Sequence, residues 1–479
     1  MGKEKRLVVI ALMLVTFLAA FEGTVVSTAM PTIARDLNGY NLISWIFSAY
    51  LLTSAVSTPI YGKLSDLFGR KKIITIGIIV FLVGTTLSGL SQNMVELIAF
   101  RALQGLGAGA ILTLTYTIIG DLFETSEKAK MQGFLSTVWG VASILGPFVG
   151  GAILAKLSWH WIFFVNIPFG LVGIYMINRH FHETVVKRKA TIDYLGSIFL
   201  TITIVALLFA CLETHDMKLL IGFIILAVIS LIIFCIVESK AKEPIVPKKI
   251  FTRTTIIINI ICFIVSVILI SIQSYMPIYT QNVLGYSPLI SGLFLAPMSI
   301  AWFSTAFILS KTLPKYGEKK VIIVAMVVLI ISMGIVDILG VSTNIAILIF
   351  AMFIIGFGFG GILNTSIIVV QEAVSPRDIG VSTSTTTLIR TLGQTIGVSI
   401  FGAVMNMGIT NHFKGLGING VTPDNLSPLN NIFHLTQSQM KDGFFAGVHS
   451  IFLVLFIVTV ITIIFAILLP KKVKNMMNK

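Results

Sequence analysis

The sequence predicts an all-helical integral membrane protein of fourteen spans, and three observations lead there. Apolar segments of about 17 to 25 residues, each long enough to cross a hydrocarbon core of about 30 Å as a helix, recur from one end of the chain to the other. Hydrophobic residues make up 56% of the 479 and charged residues 11%, with a mean hydropathy of +0.97, too apolar a balance for a soluble chain of this size. Basic residues concentrate in alternate connections between the apolar segments.

Spans are expected near 7–29, 43–61, 73–90, 94–119, 132–154, 161–178, 194–213, 219–237, 255–279, 289–309, 321–339, 345–370, 381–408 and 445–469. The first follows Lys3, Lys5 and Arg6, as a secretory signal would, but its length, its Glu22 and the many later spans mark an uncleaved first helix. A net charge of +14, from 34 basic and 20 acidic residues, raises the question of nucleic acid. The distribution answers it. With the N-terminus inside, the inner side holds 27 Lys and Arg, the outer side holds Arg35, Lys156, Lys218, Lys414 and Lys441, and Arg101 and Arg390 lie within spans. The positive-inside rule then places both termini in the cytoplasm, which an even number of spans satisfies.

Cys211, Cys235 and Cys262 fall in apolar spans, where packing is their expected role, so no disulfide framework is implied. His180 and His182, beside a basic loop, read as solvated residues, and no metal site is assigned.

The chain repeats itself. GKLSDLFGRKK at 62–72 matches SKTLPKYGEKK at 310–320, GLGAGAIL at 105–112 matches GFGFGGIL at 356–363, and Gly146 and Gly150 match Gly393 and Gly397, at offsets of 248, 251 and 247. Two six-helix bundles follow, over residues 1–180 and 255–479, with two inserted helices and their basic flanks over 181–254. This is the parallel-repeat plan of a transporter whose substrate site lies at the midplane between halves. Residues 411–443 form one long outer loop, rich in Pro, Asn and Gly. It reads first as a flexible connector and second as a cap over the outer vestibule, with Leu429, Ile432, Phe433 and Leu435 as a short amphipathic helix.

Gly62, Lys63, Leu64, Asp66, Gly69, Arg70 and Lys71 stand in a short inner loop. Its glycines permit a tight turn, Asp66 can accept from helix-terminal amides and Arg70 can pair with a carboxylate. Basic residues with turn glycines need no more than a positive-inside loop. Their ordered Gly-x-Leu-x-Asp-x-x-Gly-Arg-Lys pattern, however, resembles the loop signature of the major facilitator superfamily. Arg101 through Gly109 (RALQGLGAG) looks like the fourth-helix motif of its fourteen-helix drug/proton antiporters. Gly140 with Gly146, Pro147, Phe148, Val149, Gly150 and Gly151 resembles their fifth-helix antiporter motif, and Trp159 through Gly170 and Glu243 through Val246-Pro247 also resemble the family. There are departures: Glu22 stands where an Asp is usual, and His160 where an Arg is common.

The resemblance implies that Gly62, Asp66, Gly69 and Arg70, with Asp121 as partner of Arg70, form an inner gate, asymmetric because Pro314 replaces Asp66 in the second half. The glycines of the fifth span, one turn apart, permit close helix approach and, with Pro147, a bend; the repeat in Gly393 and Gly397 suggests symmetry-related contacts where the halves rock.

Ionisable residues deep in a bilayer are functional candidates. Glu96, Glu213 and Asp337 lie near span ends, which leaves Glu22, Arg101 and Arg390 in the interior. Counting residues from Pro31 and Asn93 puts Glu22 and Arg101 about 12 to 14 Å below the outer surface, at one depth. They are the expected proton-coupling pair, the bland alternative being a permanent ion pair that holds two helices together. Arg390 has no acidic partner in its own half; it suits substrate, backbone carbonyls or packing equally. Phe21, Tyr50, Trp139, Gln273 and Tyr275 are candidates to line an apolar, aromatic cavity, although each taken singly suits lipid or core packing as well.

The implied function is proton-driven export of small lipophilic drugs, cationic or neutral, from a bacterial cytoplasm by a monomer in the cell membrane, with no enzyme activity and no cofactor beyond the proton gradient. The want of a second interior acid argues against dicationic cargo. An ATP-driven pump lacks its Gly-x-x-x-x-Gly-Lys-Ser/Thr loop here, whereas export or flipping of a lipid, fatty acid or endogenous metabolite is a second reading that the same fold can host.

Overall fold

A computed structural model of the chain describes residues 3–123, 125–182, 194–212, 217–241, 250–374, 379–426 and 432–470. The first bundle comprises α1 (Lys3–Asp36), α2 (Ile43–Phe68), α3 (Arg70–Ser88), α4 (Met94–Leu122), α5 (Thr125–Lys156) and a split sixth span, α6 (Trp161–Phe164) and α7 (Asn166–His180). Next come α8 (Tyr194–Leu212) and α9 (Met217–Lys240). The second bundle comprises α10 (Arg253–Ile278), α11 (Pro288–Tyr316), α12 (Glu318–Asp337), α13 (Ile345–Glu372), α14 (Ile379–Gly415) and α15 (Gln437–Leu468). Among the described residues, 13 helices are long and apolar enough to cross a membrane, and α8, with its apolar stretch Ile198–Leu207, stands where the fourteenth is expected.

Local chemistry sets the boundaries. Gly69 at φ 95° and Gly317 at φ 77° join α2 to α3 and α11 to α12, each donating its N–H to the carbonyl four residues back, Ser65 and Leu313. Backbone at such angles strains any side chain, so the repeated glycine is a geometric requirement. The lysines two residues on also act alike: Lys71 donates to the Asn178 carbonyl at the end of α7, and Lys319 to the Ile467 and Leu469 carbonyls at the end of α15. Asn93, Thr252, Ser287, Asn344 and Thr436 cap the helices that follow them, each accepting a backbone N–H of the first turn.

Glycine contacts carry the repeat into packing. A Cβ on Gly105 would lie 2.3 Å from the Tyr50 carbonyl of α2, and one on Gly356 would lie 2.1 Å from the Met298 carbonyl of α11. Gly107 and Gly358 press in the same way on Phe81 of α3 and Leu329 of α12. Thus α4 and α13 each wedge between their two neighbours, because small residues let backbones approach where lipid provides no hydrophobic drive.

One expectation is corrected. Gly146 and Gly150 face Thr24 and Val25 of α1, and Gly393 and Gly397 face Phe263 and Val267 of α10, so both pairs close contacts inside a bundle. The contact between bundles falls to their neighbour: a Cβ on Gly151 would lie 2.3 Å from Leu289 Cα, and one on Gly292 would lie 2.1 Å from the Pro147 carbonyl. Helix rotation decides this. Gly150 and Gly151 are about 100° apart around α5, so one faces home and the other faces across.

The bundles also meet through α2 and α14, where the Ser48 and Ser399 hydroxyls are 2.7 Å apart, and through α1 and the turn after α10, where Gln281 Nε2 donates to the Thr28 carbonyl at 3.0 Å. These contacts lie toward the end of the molecule that carries Asp424, here the Asp424 face; the opposite end carries Arg70. The hairpin α8–α9 leans on α14 and α2 through Leu200, Phe234, Leu52, Leu388 and Leu392. Helix α9 turns Ile221, Ile225, Val228 and Ile232 outward.

On the Asp424 face the long loop folds back over the first bundle. Pro423–Leu426 forms a short helix against Tyr40–Leu42, and the Asp424 carboxylate accepts the Asn41 backbone N–H at 3.1 Å and a further bond from Asn41 Nδ2. Val421, Leu426 and Leu435 are buried and Ile432 is exposed; Leu429 lies outside the described residues. Burial pushes the Asp424 carboxyl above the usual aspartate value, outweighing the opposing donors of Asn41.

Two outcomes follow from these contacts. Gly151→Leu forces α5 and α11 apart; spin labels at the exposed Asn38 and Ser438 should then lengthen their distance distribution, and thermal unfolding should show a loss of about 1–3 kcal/mol. Because the clasped arrangement raises the Asp424 pKa, it binds the proton more tightly than a solvated carboxyl does. Lowering the pH from the raised value toward the ordinary one of about 4 therefore favours the clasp. The short Asn38–Ser438 distance should gain weight over that window, and in Asp424→Asn this dependence should vanish.

Candidate functional site

Glu22 sits mid-way along α1 with no solvent exposure, and Arg101 on α4 is equally buried. Arg101 Nη1 donates to Glu22 Oε1 at 2.7 Å and to Gln104 Oε1, one turn further along α4, at 2.6 Å. The other carboxylate oxygen, Oε2, accepts from Asn166 Nδ2 at 2.6 Å. The guanidinium lies over the Tyr50 ring, 4.2 Å from its centroid, so the cation also meets an aromatic face from α2.

Four helices converge on this pair for reasons visible in sequence. Close packing of α4 on α2 comes from Gly105 and Gly109, and of α4 on α3 from Gly84, where a Cβ would lie 2.5 Å from the Gln104 backbone. Asn166 opens α7 directly after the break at Val165, which aims its side chain into the bundle. Isolated charges in such surroundings cost several kcal/mol each, and pairing with good hydrogen bonds is what makes them tolerable. Three polar atoms at the site, Arg101 Nε, Gln104 Nε2 and Asn166 Oδ1, have no partner among the described residues. The arrangement therefore holds one carboxylate firmly and keeps unused donors and an unused acceptor beside it.

Depth counting brought Glu22 and Arg101 to one level, and the structure brings them into contact. Gln104 and Asn166 were not assigned to the pair, although a signal existed: Gln104 is at the i+3 position from Arg101, and Asn166 is the one buried amide of its motif.

The aromatic candidates divide. Phe21 is buried and stacks on Phe17, Tyr50 is taken up by Arg101, and Tyr275 is fully buried with its hydroxyl donated to the Val398 carbonyl at 3.0 Å. Trp139 is exposed and Gln273 half-buried. Arg390 is half-buried on α14, and Gly140 faces Phe303 of α11. Gly62 approaches Thr113 of α4, and Arg70 donates to the Ser65 hydroxyl. The side chains of Asp66 and Asp121 lie outside the described residues. Cys262 is buried and Cys235 exposed, and no cluster of metal-ligating residues occurs among the described residues.

Comparison with known proteins agrees with this architecture. The family model described as Major Facilitator Superfamily matches residues 12–398. The chain is 36% identical to the multidrug transporter protein MdtP of Bacillus subtilis over 413 residues, covering 85% of this chain and 76% of that protein. It is 34% identical to multidrug resistance protein 3 of the same organism, covering 91% and 88%, and 34% identical to the multidrug efflux pump SdrM of Staphylococcus aureus, covering 82% and 88%. Among solved structures, a bacterial homologue of the human lysosomal transporter Spinster, inward-facing and unoccupied, superimposes with a TM-score of 0.68 at 16% identity over 98% of this chain and 97% of that one. A multi-pass helical membrane protein with these matches is a transporter and not an enzyme: the chain belongs to the major facilitator superfamily.

Proposed function

We propose that this protein is a proton-coupled exporter of small lipophilic drugs, working by alternating access between the bundle of residues 1–180 and the bundle of residues 255–479. The observation that carries the reading is the buried contact of Glu22 with Arg101. Multidrug transport in the relatives supports the choice of cargo. Charge asymmetry supports an orientation with both termini in the cytoplasm, which makes the Asp424 face external. The described contacts between bundles then close the outer side, and cargo reaches the interior from the Arg70 side.

Protonation of Glu22 removes the charge that compensates Arg101. Losing one partner of a buried pair costs about 3–5 kcal/mol, which is enough to change how α1 packs on α4. Asn166 is suited to register the event. Its Nδ2 donates to the carboxylate, while its idle Oδ1, after rotation of the amide, can accept the O–H of the protonated acid. In this reading the inner loop is the second moving part: Gly69 makes a tight turn, and the family resemblance assigns Arg70, with Asp66 and Asp121, to a latch that holds that side in one state only.

In liposomes carrying purified protein and an imposed pH gradient, Glu22→Gln should lower proton-driven export at least tenfold while the variant still folds and binds cargo, and Glu22→Asp should stay active. Gradient-driven export at the wild-type rate by Glu22→Gln would sink the coupling assignment. Asp66→Asn and Arg70→Ala should reduce turnover several-fold with binding affinity near wild type, since they govern interconversion of states. A large loss of affinity with unchanged turnover per occupied site would remove both from the gate.

A further inference from the structure

The interior holds a charge that the Glu22 site does not use. Arg390 lies within the membrane-length segment Thr385–Gly415 of α14 and, among the described residues, makes no hydrogen bond or ion pair. Among the described residues, the titratable groups within electrostatic reach of its guanidinium are Cys262 of α10 and, on the other bundle, Tyr116 of α4. Neither supplies a counter-charge. Glu22 does not either: both of its oxygens are taken, one by Arg101 and the other by Asn166.

The faces of α14 show where Arg390 points. At about 100° per residue, Leu388, Leu392 and Ser399 share one side, packed against α2 and the inserted helices. Gly393 and Gly397 lie against Phe263 and Val267 of α10. Ile389, Ile396 and Ile400 form a purely apolar strip. What remains is a wedge of Thr387, Arg390, Thr391 and Gln394, one turn beyond Thr383, whose hydroxyl accepts from Gln371 of α13. The hydroxyls of Thr387 and Thr391 donate to carbonyls one turn back, as membrane helices allow. Arg390 has no comparable outlet. A guanidinium at this depth is costly against lipid, so the wedge faces the space between the bundles. Opposite stand two exposed aromatic side chains, Tyr116 on α4 and, beside it, Trp139 on α5. All three residues lie between the middle and the Arg70 end of their helices, on the side that cargo enters in the proposed cycle.

We propose that Arg390 receives the anionic headgroup of the cargo, and that the preferred substrate is an amphipathic monoanion, a carboxylate whose apolar body lies on Trp139 and Tyr116. This rests on the efflux reading above and narrows it. The lack of a second interior acid pointed to neutral or monocationic cargo. A guanidinium without a counter-charge among the described residues, beside the aromatic surface, repels a cation and leaves a carboxylate as the ligand that satisfies both, with the two parallel hydrogen bonds that an arginine fork offers.

The test uses one scaffold with three headgroups: pyrenebutyrate, its N-methylamide and the matching pyrenyl trimethylammonium, titrated by fluorescence against purified full-length protein. Wild type should bind the carboxylate at least tenfold more tightly than the amide and the amide more tightly than the cation. Arg390→Gln should bring the carboxylate-to-amide ratio to about one, and Arg390→Lys should retain most of the preference, with thermal unfolding of each variant checking the fold. Displacement of the carboxylate probe by laurate rather than by an aryl carboxylate would mark a membrane-derived source of the anion; the reverse would mark a soluble drug. A wild-type preference for the cation, or an unchanged ratio in folded Arg390→Gln, overturns the assignment. Export into or from proton-loaded liposomes separates the two readings. If the amide is exported but no carboxylate preference exists, efflux stands and the anion site falls; if the preference holds but no probe is exported, the site stands and the efflux reading falls.

Discussion

Glu22 can remain a buried group only because Arg101, Asn166, Gln104 and the Tyr50 ring surround it, and those partners come from three helices other than its own. Each of them has to arrive at the same depth and with the right rotation. That requirement reaches far beyond the pair. It needs α4 pressed against α2 and α3 by glycines, α1 held by α5 through Gly146 and Gly150, and the sixth span broken at Val165 so that Asn166 starts a new helix inside the bundle. In a solvent without hydrophobic drive between helices, small-residue contacts supply the closeness and a polar cluster supplies the register. In the proposed function the same cluster would make the bundle sensitive to one proton, since its neutrality depends on a single carboxylate.

The second bundle reproduces the scaffold without the cluster. Gly356 and Gly358 wedge α13 as Gly105 and Gly107 wedge α4, Gly317 turns the chain as Gly69 does, and Lys319 ties down a helix end as Lys71 does. At the position of Arg101, however, the offset of 251 that relates Gly105 to Gly356 brings Met352, buried in a core of aliphatic side chains. Duplication therefore preserved what fixes backbone geometry. The charges diverged, as they are free to do once packing alone holds a bundle together.

This division explains what could be read from the chain beforehand. Span number and order, the turn glycines and the internal repeat follow from length, hydropathy and steric need, all of which are local or periodic. Depth is also countable at 1.5 Å per residue, which is why Glu22 and Arg101 were paired correctly. Rotation about the helix axis is not countable when apolar residues surround the whole helix. Hence Gly146 and Gly150 were expected between the bundles and lie within one, while the adjacent Gly151 makes the crossing. Tyr50 and Tyr275 were expected as lining residues; the first is occupied by a guanidinium and the second by a carbonyl. The clasp of Asp424 on Asn41 joins residues nearly the length of the chain apart, through a loop whose composition signalled only irregularity.

Among the described residues, the interior charges are thus arranged as a compensated pair in the first bundle and, in the second, Arg390 without a hydrogen bond or ion pair. In the proposed cycle the pair, neutral at rest, responds to protons, because protonation is the event that makes it charged. Arg390, which has no counter-charge among the described residues, responds in the same proposed cycle to cargo, because an anion brought in from outside compensates it. Placing the two on opposite bundles links both responses to the same coordinate, the separation of α1 and α4 from α10 and α14. A protonated Glu22 leaves two positive groups in the interior, which favours an anion between the bundles; its deprotonation restores neutrality on one side and lowers that attraction. Proton and anionic cargo would then help each other to bind rather than compete for one carboxylate, the coupling by exclusion that a cation exporter relies on. Exchange against protons consequently requires that Glu22 be reached from the outer side only after the anion has left Arg390, and the order of these two openings falls to the contacts between α5 and α11 around Gly151 and Gly292.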